Sequence, residues 1–421
     1  MEYIKLNNVI KVLFHQMLNT HSVTIGLYIK AGSAYEMEEQ NGITHFLEHL
    51  HFRQLGRMSQ EELYYKMECI GSDLRGLTYC DFLEYNMKIH PDNLEEALAI
   101  FREIIYADEW DDMEFEKERQ VVINQIKEKG NYISLENEVR KCVFQNSPLA
   151  NEIMGTAENV RNFKKSDLKN YKKQIFTNNN LIFCITGCLQ DAGWEKARKI
   201  LESVDLRDGN PARSPVVPQV FHSRKPDMVF LMTNDSLLDV NLSFDISGRK
   251  QTGELLSILN CILGEGTGSN LQKKLRENLG YTSDIYSYLE RYKGFAVMHI
   301  RFSVEKRLLK QCLTEIIYVI SDTKNKITSR DLDVSLPFYT KNKIFLEDDT
   351  AEMNFQLAYQ NFVLSREIEN EELKNNRQTI ISLQKLAQTV FIPENAGVVI
   401  IGNVNGISKK SVREIIRKLS G

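Results

Sequence analysis

The sequence lacks most features that would place it in a membrane, outside the cell or on a nucleic acid. Its N-terminus has no basic segment followed by an apolar stretch, and no run approaches the ~18 apolar residues that span a bilayer. The net charge of −4 does not indicate the basic surface that binds nucleic acid. Seven cysteines occur without any Cys-x-x-Cys pair, which indicates neither a disulfide framework nor a cysteine zinc site. We therefore predict a cytoplasmic protein with reduced thiols that binds neither membranes nor nucleic acid.

Proline is also scarce, and its distribution marks a boundary. Only eight prolines occur among 421 residues, yet four of them fall at positions 211, 215, 218 and 226. Together with Asp-Gly-Asn at positions 208–210, they predict a linker over residues 207–227. The chain is too long for one ordinary core. We therefore predict two domains, at residues 1–206 and 228–421.

The two halves show the same order of predicted elements. Each begins with an extended segment and ends with an apolar strand followed by a helix. The extended segments are residues 23–31 and 240–247, and the late apolar strands are residues 181–187 and 398–402. Further strands are predicted at 81–89 and 294–303, and helical periodicity covers 93–106, 112–129, 308–321, 338–346 and 352–364. We predict an α+β fold of two similar domains, each a mixed β-sheet with helices packed on one face.

Histidine is rare as well, and three of the eight histidines lie within seven residues. His45 and His49 are four residues apart, so on a helix they project from one face about one turn apart and can bind one Zn²⁺ together. Glu48 lies on the same side, where a carboxylate can take a proton from water at the metal and later deliver it to a leaving amine. Thr44 is predicted to cap this helix. His51 is predicted to lie behind the ligands or at the surface.

The order His45-x-x-Glu48-His49 is the inverted zinc motif, and with it the chain resembles the pitrilysin/insulinase family of zinc metallopeptidases, the inverzincins. Four other segments agree with the family: residues 31–36 and 41–44 before the motif, 115–122 in a second helix, and the glycine-rich residues 264–277. The resemblance covers essentially the whole chain, at the length of one half of the family's clamshell. It implies two similar domains, and a chamber between two such units that admits peptides or unfolded segments.

The resemblance also implies a third zinc ligand 76 residues after the second histidine. The family has a glutamate there, and this chain has Gln125. Because a glutamine oxygen is neutral and a weaker ligand, we expect lower zinc affinity. Glu118 matches another family glutamate two helical turns earlier, ~10 Å along the axis, so it is expected to support the ligands rather than replace one. Glu128 is predicted to be a solvated helix residue, and a metal site rebuilt around Glu118 or Glu128 remains the alternative.

Substrate and oxyanion residues follow from the same resemblance. Arg75 and Thr78 occupy the family's substrate strand, where Arg75 either selects an acidic substrate group or is a solvated strand residue. Arg276 matches the arginine that polarises the scissile carbonyl, while a serine stands at the family's tyrosine position seven residues later. Either Tyr281 or Tyr286 then replaces that tyrosine, or a partner chain supplies the pair.

We therefore expect a Zn²⁺-dependent peptidase that cleaves peptides or unfolded segments, such as leaders of precursors. The alternative is a weakly metallated or inactive paralogue that acts as a structural or substrate-binding subunit of a heteromeric peptidase. Glu48 favours the first, because a scaffold needs no general base, and Gln125 favours the second. A small-molecule enzyme finds no support, since no glycine-rich phosphate loop follows a strand. We expect a dimer, formed with a related chain of similar length or with a second copy.

Overall fold

The computed structural model describes residues 1–130, 133–145, 147–206, 227–246, 253–365 and 373–420. The strands are β1 (Glu2–Lys5), β2 (Lys11–Gln16), β3 (Val23–Ile29), β4 (Gln54–Leu55), β5 (Met58–Ser59), β6 (Leu74–Thr78), β7 (Leu83–Ile89), β8 (Leu181–Gly187), β9 (Asp227–Met232), β10 (Leu237–Asp245), β11 (Ile285–Tyr292), β12 (Phe295–Glu305) and β13 (Ala396–Gly402). The helices are α1 (Ile43–Arg53), α2 (Gln60–Cys69), α3 (Leu94–Tyr106), α4 (Asp112–Gly130), α5 (Leu135–Phe144), α6 (Ala157–Asn162), α7 (Lys165–Ile175), α8 (Asp191–Glu202), α9 (Gly253–Leu263), α10 (Leu309–Asn325), α11 (Ser329–Phe345), α12 (Thr350–Ala358), α13 (Arg377–Val390) and α14 (Lys409–Arg417).

Two mixed sheets organise the molecule, and they share one topology. The first has the order β1-β2-β8-β3-β7-β6, with β2 and β8 parallel and the other neighbours antiparallel. The second has the order β9-β13-β10-β12-β11, with β9 and β13 parallel and the others antiparallel. Apart from the additional β1, the strands follow the same chain order and directions in both sheets. The predicted α+β fold of two similar domains is therefore confirmed.

A layer of helices covers one face of each sheet, as predicted. In the first unit the alternate β3 residues Val23, Ile25 and Leu27 are buried against α1, α3 and α4. In the second unit Val240 and Leu242 of β10 are buried against α9, α10, α13 and α14. The period of two along each strand sends these apolar side chains to the helix layer. This layer places α1, which carries the histidines, against the core of the first unit.

The opposite face of the first sheet is covered by α12, although its sequence lies in the second half of the chain. Gly26 of β3 leaves room for Asn354 of α12, and the Asn354 amide donates to the carbonyl oxygens of Thr24 (3.0 Å) and Cys184 (2.8 Å). Because those carbonyls belong to β3 and β8, this helix is fastened to the middle of the sheet. The described part of residues 344–367 accordingly belongs to the first compact unit, although the predicted second domain, residues 228–421, includes it.

The second sheet is covered on its opposite face by α5, which precedes it in sequence. Cys142 of α5 lies 3.4 Å from the position of a Cβ on Gly397, on the face of β13 that turns away from the helix layer. Phe144 packs edge-on against Tyr292 and Phe295. The first half of the sequence thus contributes α5 to the second compact unit, and the second half contributes α12 to the first unit. The first unit combines the described parts of residues 1–132, 147–216 and 344–367, and the second combines those of 133–146, 217–343 and 368–421.

The predicted linker at residues 207–227 lies outside the described residues except for Asp227, so the domain boundary stays a prediction. No disulfide joins the seven cysteines, all of which lie among the described residues. None of the helices in the described ranges is long and apolar enough to cross a membrane.

Candidate metal centre

The helix α1 carries the inverted motif and begins directly after Gly42. Gly42 has a φ of +99°, a left-handed conformation that favours glycine, and it provides no side-chain cap. Thr44 lies inside the first turn, so the prediction that Thr44 caps the helix was wrong. The carboxylate of Glu36 instead accepts the backbone N–H groups of Gly42 and Thr44. Phe46, Leu47 and Leu50 are buried and hold α1 against the core of the first unit.

The two motif histidines lie side by side, as their spacing predicts. The ring centroids of His45 and His49 are 4.5 Å apart. Burial lowers the pKa of His45 to about 3, with smaller contributions from His49 and Lys129, so this imidazole is neutral and able to bind a metal. Its Nδ1 atom is buried and has no hydrogen-bond partner among the described residues. A buried ring nitrogen without a hydrogen-bond partner destabilises the folded chain unless a bound group, such as a metal ion, pairs with it.

Glu118 holds the second histidine in place. Its Oε1 lies 2.8 Å from Nδ1 of His49, which leaves the other ring nitrogen available. Arg53 approaches the second carboxylate oxygen of Glu118 at 3.8 Å and pairs with Glu114 at 2.7 Å. A carboxylate on the outer nitrogen fixes the tautomer and raises the basicity of a metal-binding histidine. These pairs also show that α1 and α4 run antiparallel, because Arg53 meets Glu114 and His49 meets Glu118 one turn further along.

Gln125 lies on α4, the helix that packs against α1. It is half-buried and follows Glu118 by seven residues. The antiparallel pairing brings the residues after Glu118 towards His45, and the charge of Lys129, one turn beyond Gln125, acts on His45. Among the described residues, no group of three His, Cys, Asp or Glu side chains could hold a metal ion. The neutral His45 and the adjacent His49 fit a metal site of two imidazoles, and Gln125 as its third donor stays a prediction.

Glu48 is buried beside these histidines and is held by the edge strand β6. The Thr78 hydroxyl donates to Oε2 of Glu48 at 2.5 Å. Gly76 of the same strand lies so close that a Cβ there would be 2.9 Å from Cγ of Glu48. Burial raises the pKa of Glu48, while the Thr78 bond and His49 oppose the shift. A carboxylate with a raised pKa and a fixed orientation suits a group that accepts and returns a proton.

If Glu48 is the general base that the sequence predicts, removing the hydroxyl of Thr78 should lower the predicted peptide hydrolysis. Thr78→Val keeps the shape of the side chain but leaves the Glu48 carboxylate without its neutral donor, and we expect kcat/KM to fall about tenfold, the scale of a hydrogen bond to a charged group. Thr78→Ser keeps the hydroxyl and should retain the parental rate. Zinc binding should be unchanged in both variants. A parental rate in Thr78→Val would show that Glu48 is positioned by other contacts.

A pocket of about 270 Å³ opens beside the candidate centre. Glu48, His49 and Glu118 line it on the polar side. The other walls include Phe52 and the exposed Tyr64. Arg75 lies elsewhere on β6, is exposed, and pairs with Asp73 at 2.8 Å. Its place at a sheet edge is compatible with both predicted roles, substrate selection and a solvated strand residue.

The predicted oxyanion residues belong to the second unit. Arg276 lies in a π-helical turn, Gln272–Asn278, and its exposed guanidinium is 3.6 Å from Glu277. Tyr281 is half-buried against the core of that unit, and its backbone N–H donates to the carbonyl of Leu275 at 2.9 Å. Their roles stay predictions.

His51 is fully buried, which excludes the surface, one of its two predicted places. Its ring nitrogens contact Tyr85 (2.7 Å) and Lys172 (3.0 Å). The Lys172 ammonium also donates to the carbonyl oxygens of Ile104, at 2.6 Å, and Ala107. His51 therefore belongs to a buried polar cluster that ties α1, α3 and α7 together. No local pattern in the sequence predicts this cluster, because its members are far apart in the chain.

Lys172 should make stability depend on pH in a particular window. Burial lowers its pKa to about 7, whereas lysine in an unfolded chain titrates near ~10.4. Between these values the unfolded chain binds a proton that the folded chain lacks, so the free energy of unfolding rises with pH, by up to ~1.4 kcal/mol per pH unit. We expect Lys172→Met to remove this rise and the exposed Lys173→Met to keep it, as measured by urea unfolding between pH ~7 and ~10. If the free energy of unfolding rose equally with pH in the parent and in both variants, the lowered pKa of Lys172 would be contradicted.

Comparison with known proteins agrees with the motif and the fold. Residues 11–157 match the model of the insulinase family, peptidase family M16, and residues 162–336 match that of the peptidase M16 inactive domain. An uncharacterized zinc protease of Bacillus subtilis is 25% identical over 379 residues, which cover 89% of this chain and 88% of the relative. A probable mitochondrial-processing peptidase subunit beta of Arabidopsis thaliana is 24% identical over 350 residues, 78% of this chain and 64% of that protein.

Among solved structures, a peptidase M16 inactive domain from Pseudomonas fluorescens superposes with a TM-score of 0.83 at 17% identity, covering 95% of this chain and 98% of that one. This likeness shows a common fold. Together with the two family models and the inverted motif on α1, it establishes that the chain belongs to the insulinase family of peptidases, family M16.

Proposed function

We propose that this chain is a zinc-dependent peptidase acting on peptides or unfolded segments. The observation that carries the proposal is Glu48, buried beside His45 and His49 and held by Thr78. His45 and His49 would bind the metal, with Gln125 as a neutral third donor and Glu118 fixing the ring of His49. A bound Zn²⁺ would act as a Lewis acid on the scissile carbonyl and make water at the site more acidic.

The other residues have roles that need no further group. Glu48 accepts the proton of the attacking water and delivers it to the leaving amine. Among the strands of the described ranges, β6 pairs with β7 alone, so an extended peptide can pair with the other side of β6 next to Glu48. Arg276, with Tyr281 or Tyr286, would stabilise the developing oxyanion. We also propose that the chain acts in the cytoplasm.

A second candidate is a weakly metallated or inactive paralogue that supports substrate binding in a heteromeric peptidase. Gln125 favours it, because two imidazoles and an amide leave the +2 charge of zinc without a carboxylate ligand. The buried Glu48 and the Glu118–His49 pair favour the catalytic proposal, since a scaffold requires neither.

Metal content and chelation decide between the two functions. Protein purified without added metal is assayed for zinc, and cleavage of a quenched peptide is followed before chelation, after chelation and after zinc is returned. The peptidase proposal expects cleavage that is lost with chelator and restored by zinc. Absence of cleavage at saturating zinc, with the partner chain described next also present, would favour the structural subunit.

We further propose that a related chain of similar length completes the active unit. The relative in Arabidopsis thaliana is named as a subunit beta, which supports a heteromeric assembly. The serine at position 283, where the family has tyrosine, also suggests that this chain's oxyanion support is incomplete. We expect low activity from the isolated chain and an increase on adding the partner, measured with the same peptide. Full activity from a strictly monomeric sample would contradict this, and a homodimer is the nearest alternative.

A further inference from the structure

The N-terminal end of α1 rests on a buried carboxylate that the motif does not include. Glu36 is 6% exposed. Its Oε2 accepts hydrogen bonds from the Asn41 amide (3.1 Å) and the Gly42 backbone N–H (2.8 Å). Its Oε1 accepts from the Thr44 backbone N–H (2.9 Å) and the Thr44 hydroxyl (2.6 Å).

This carboxylate replaces the cap that α1 lacks. The first N–H groups of a helix have no partner within the helix, and Gly42 has no side chain to supply one. Four donors from Asn41, Gly42 and Thr44 bond to the Glu36 carboxylate, and these bonds oppose the rise in its pKa that burial causes. Its negative charge also lies at the positive end of the α1 dipole. Both effects fix the first turn of α1 relative to the segment that carries Glu36.

Thr44 extends this anchor into the core. Its hydroxyl accepts from the backbone N–H of Gly32 (3.2 Å) and lies 2.6 Å from the hydroxyl of the buried Tyr171. The residue directly before His45 is therefore held by backbone and side-chain bonds with Gly32, Glu36 and Tyr171. Because a helix is stiff, the rotation of α1 about its axis at Thr44 also sets the direction in which His45 and His49 project.

We propose that Glu36 is a positioning residue, which fixes the rotation of α1 so that His45 and His49 are oriented before the metal binds. This inference rests on the proposed zinc site and adds a residue on which that site depends. Glu36 acts through Thr44 and the α1 backbone and does not touch the reacting atoms.

The test compares two carboxylates that cap helices. Glu36→Gln replaces an acceptor oxygen by an amide that faces N–H and O–H donors. Glu62→Gln is the matched control, because Glu62 accepts the Ser59 backbone N–H at 2.8 Å at the start of α2, a helix without candidate ligands. Three quantities are measured: the Zn²⁺ dissociation constant by chelator competition, the visible spectrum of bound Co²⁺, and amide hydrogen exchange over residues 43–49.

For Glu36→Gln we expect a Zn²⁺ dissociation constant raised at least ~10-fold, the lower range for groups that orient ligands. The Co²⁺ spectrum should change and exchange over residues 43–49 should accelerate. Glu62→Gln should leave all three at parental values. If Glu36→Gln does not fold, the pair Thr44→Val and Thr44→Ser decides: the first loses the hydroxyl bond to Glu36 and should weaken Zn²⁺ binding, and the second should not.

Parental Zn²⁺ affinity and Co²⁺ spectrum in a folded Glu36→Gln, or in Thr44→Val, would overturn the inference. A parent chain that takes up neither Zn²⁺ nor Co²⁺ would overturn the proposed function instead. Hydrogen exchange would then decide alone whether Glu36 anchors α1, since that measurement requires no metal.

Discussion

Glu48→Gln is expected to lower peptide hydrolysis by ~10²-fold or more while leaving zinc binding largely intact, which is the usual scale for loss of a general base. The amide keeps the volume of the side chain and can still accept a hydrogen bond from Thr78. It cannot accept a proton from water at neutral pH or return one to a leaving amine. The binding step and the chemical step should therefore separate, with zinc content near parental and kcat strongly reduced.

The control for Glu48→Gln is Glu96→Gln. Glu96 is exposed on α3, so this variant removes the same charge without touching the pocket beside Glu48. Zinc content and the rate of quenched-peptide cleavage are measured for both variants in the presence of the partner chain. If Glu48→Gln cleaves as fast as the parent, the assignment of Glu48 is wrong. If it loses its zinc, Glu48 supports the metal rather than the proton transfer.

Local sequence patterns were sufficient to predict the elements that carry the site. The predicted helices at 93–106 and 112–129 correspond to α3 and α4, and the predicted strand at 181–187 is β8. The two helices show helical periodicity because one face of each is buried in the first unit, whereas β8 is buried throughout and forms a continuous apolar run. The spacing of the inverted motif likewise predicted that His45 and His49 share a face. Both results depend on residues that are close together in the sequence.

The packing of elements distant in sequence could not be predicted in this way. Periodicity showed that residues 352–364 form an amphipathic helix, but it contains no information on which sheet the apolar face meets. The decisive contact is between Asn354 and the carbonyls of Thr24 and Cys184, which are 330 and 170 residues away in sequence. His51 and Lys172 were missed for the same reason. Polar pairs of this kind are defined by the folded chain.

Glu36 shows an intermediate case. The segment that contains it was noted for its family resemblance, yet nothing in the sequence indicated that its carboxylate would cap α1 rather than a residue next to the helix. Capping patterns are local, with the cap and its partner within three residues. Glu36 is six residues from Gly42 and reaches it only because the chain between them folds back. The prediction of Thr44 as the cap failed because that local rule was applied to a helix capped from outside it.

Gln125→Glu is expected to raise the zinc affinity of the site by about a hundredfold, or ~3 kcal/mol. Gln125 lies on α4 between Glu118, which contacts His49, and Lys129, whose charge acts on His45. A carboxylate there would offset part of the zinc charge in a partly buried position, where electrostatic attraction is weakly screened. Activity need not rise in proportion, because stronger donation by the ligands makes water at the metal less acidic. Zinc titration against a competing chelator measures the change directly.

The control for this variant is Asn124→Glu, which adds the same charge one residue earlier on an exposed position of α4. One residue corresponds to a rotation of about 100° around the helix, so the added charge points away from the face that bears Gln125. If both variants raise the affinity slightly and equally, the effect is long-range attraction and Gln125 is not a ligand. If neither changes it, a metal site rebuilt around Glu118 or Glu128 becomes the better description. A large gain confined to Gln125→Glu would identify position 125 as the third ligand, and would mean that the parent chain holds zinc weakly because this one carboxylate is missing.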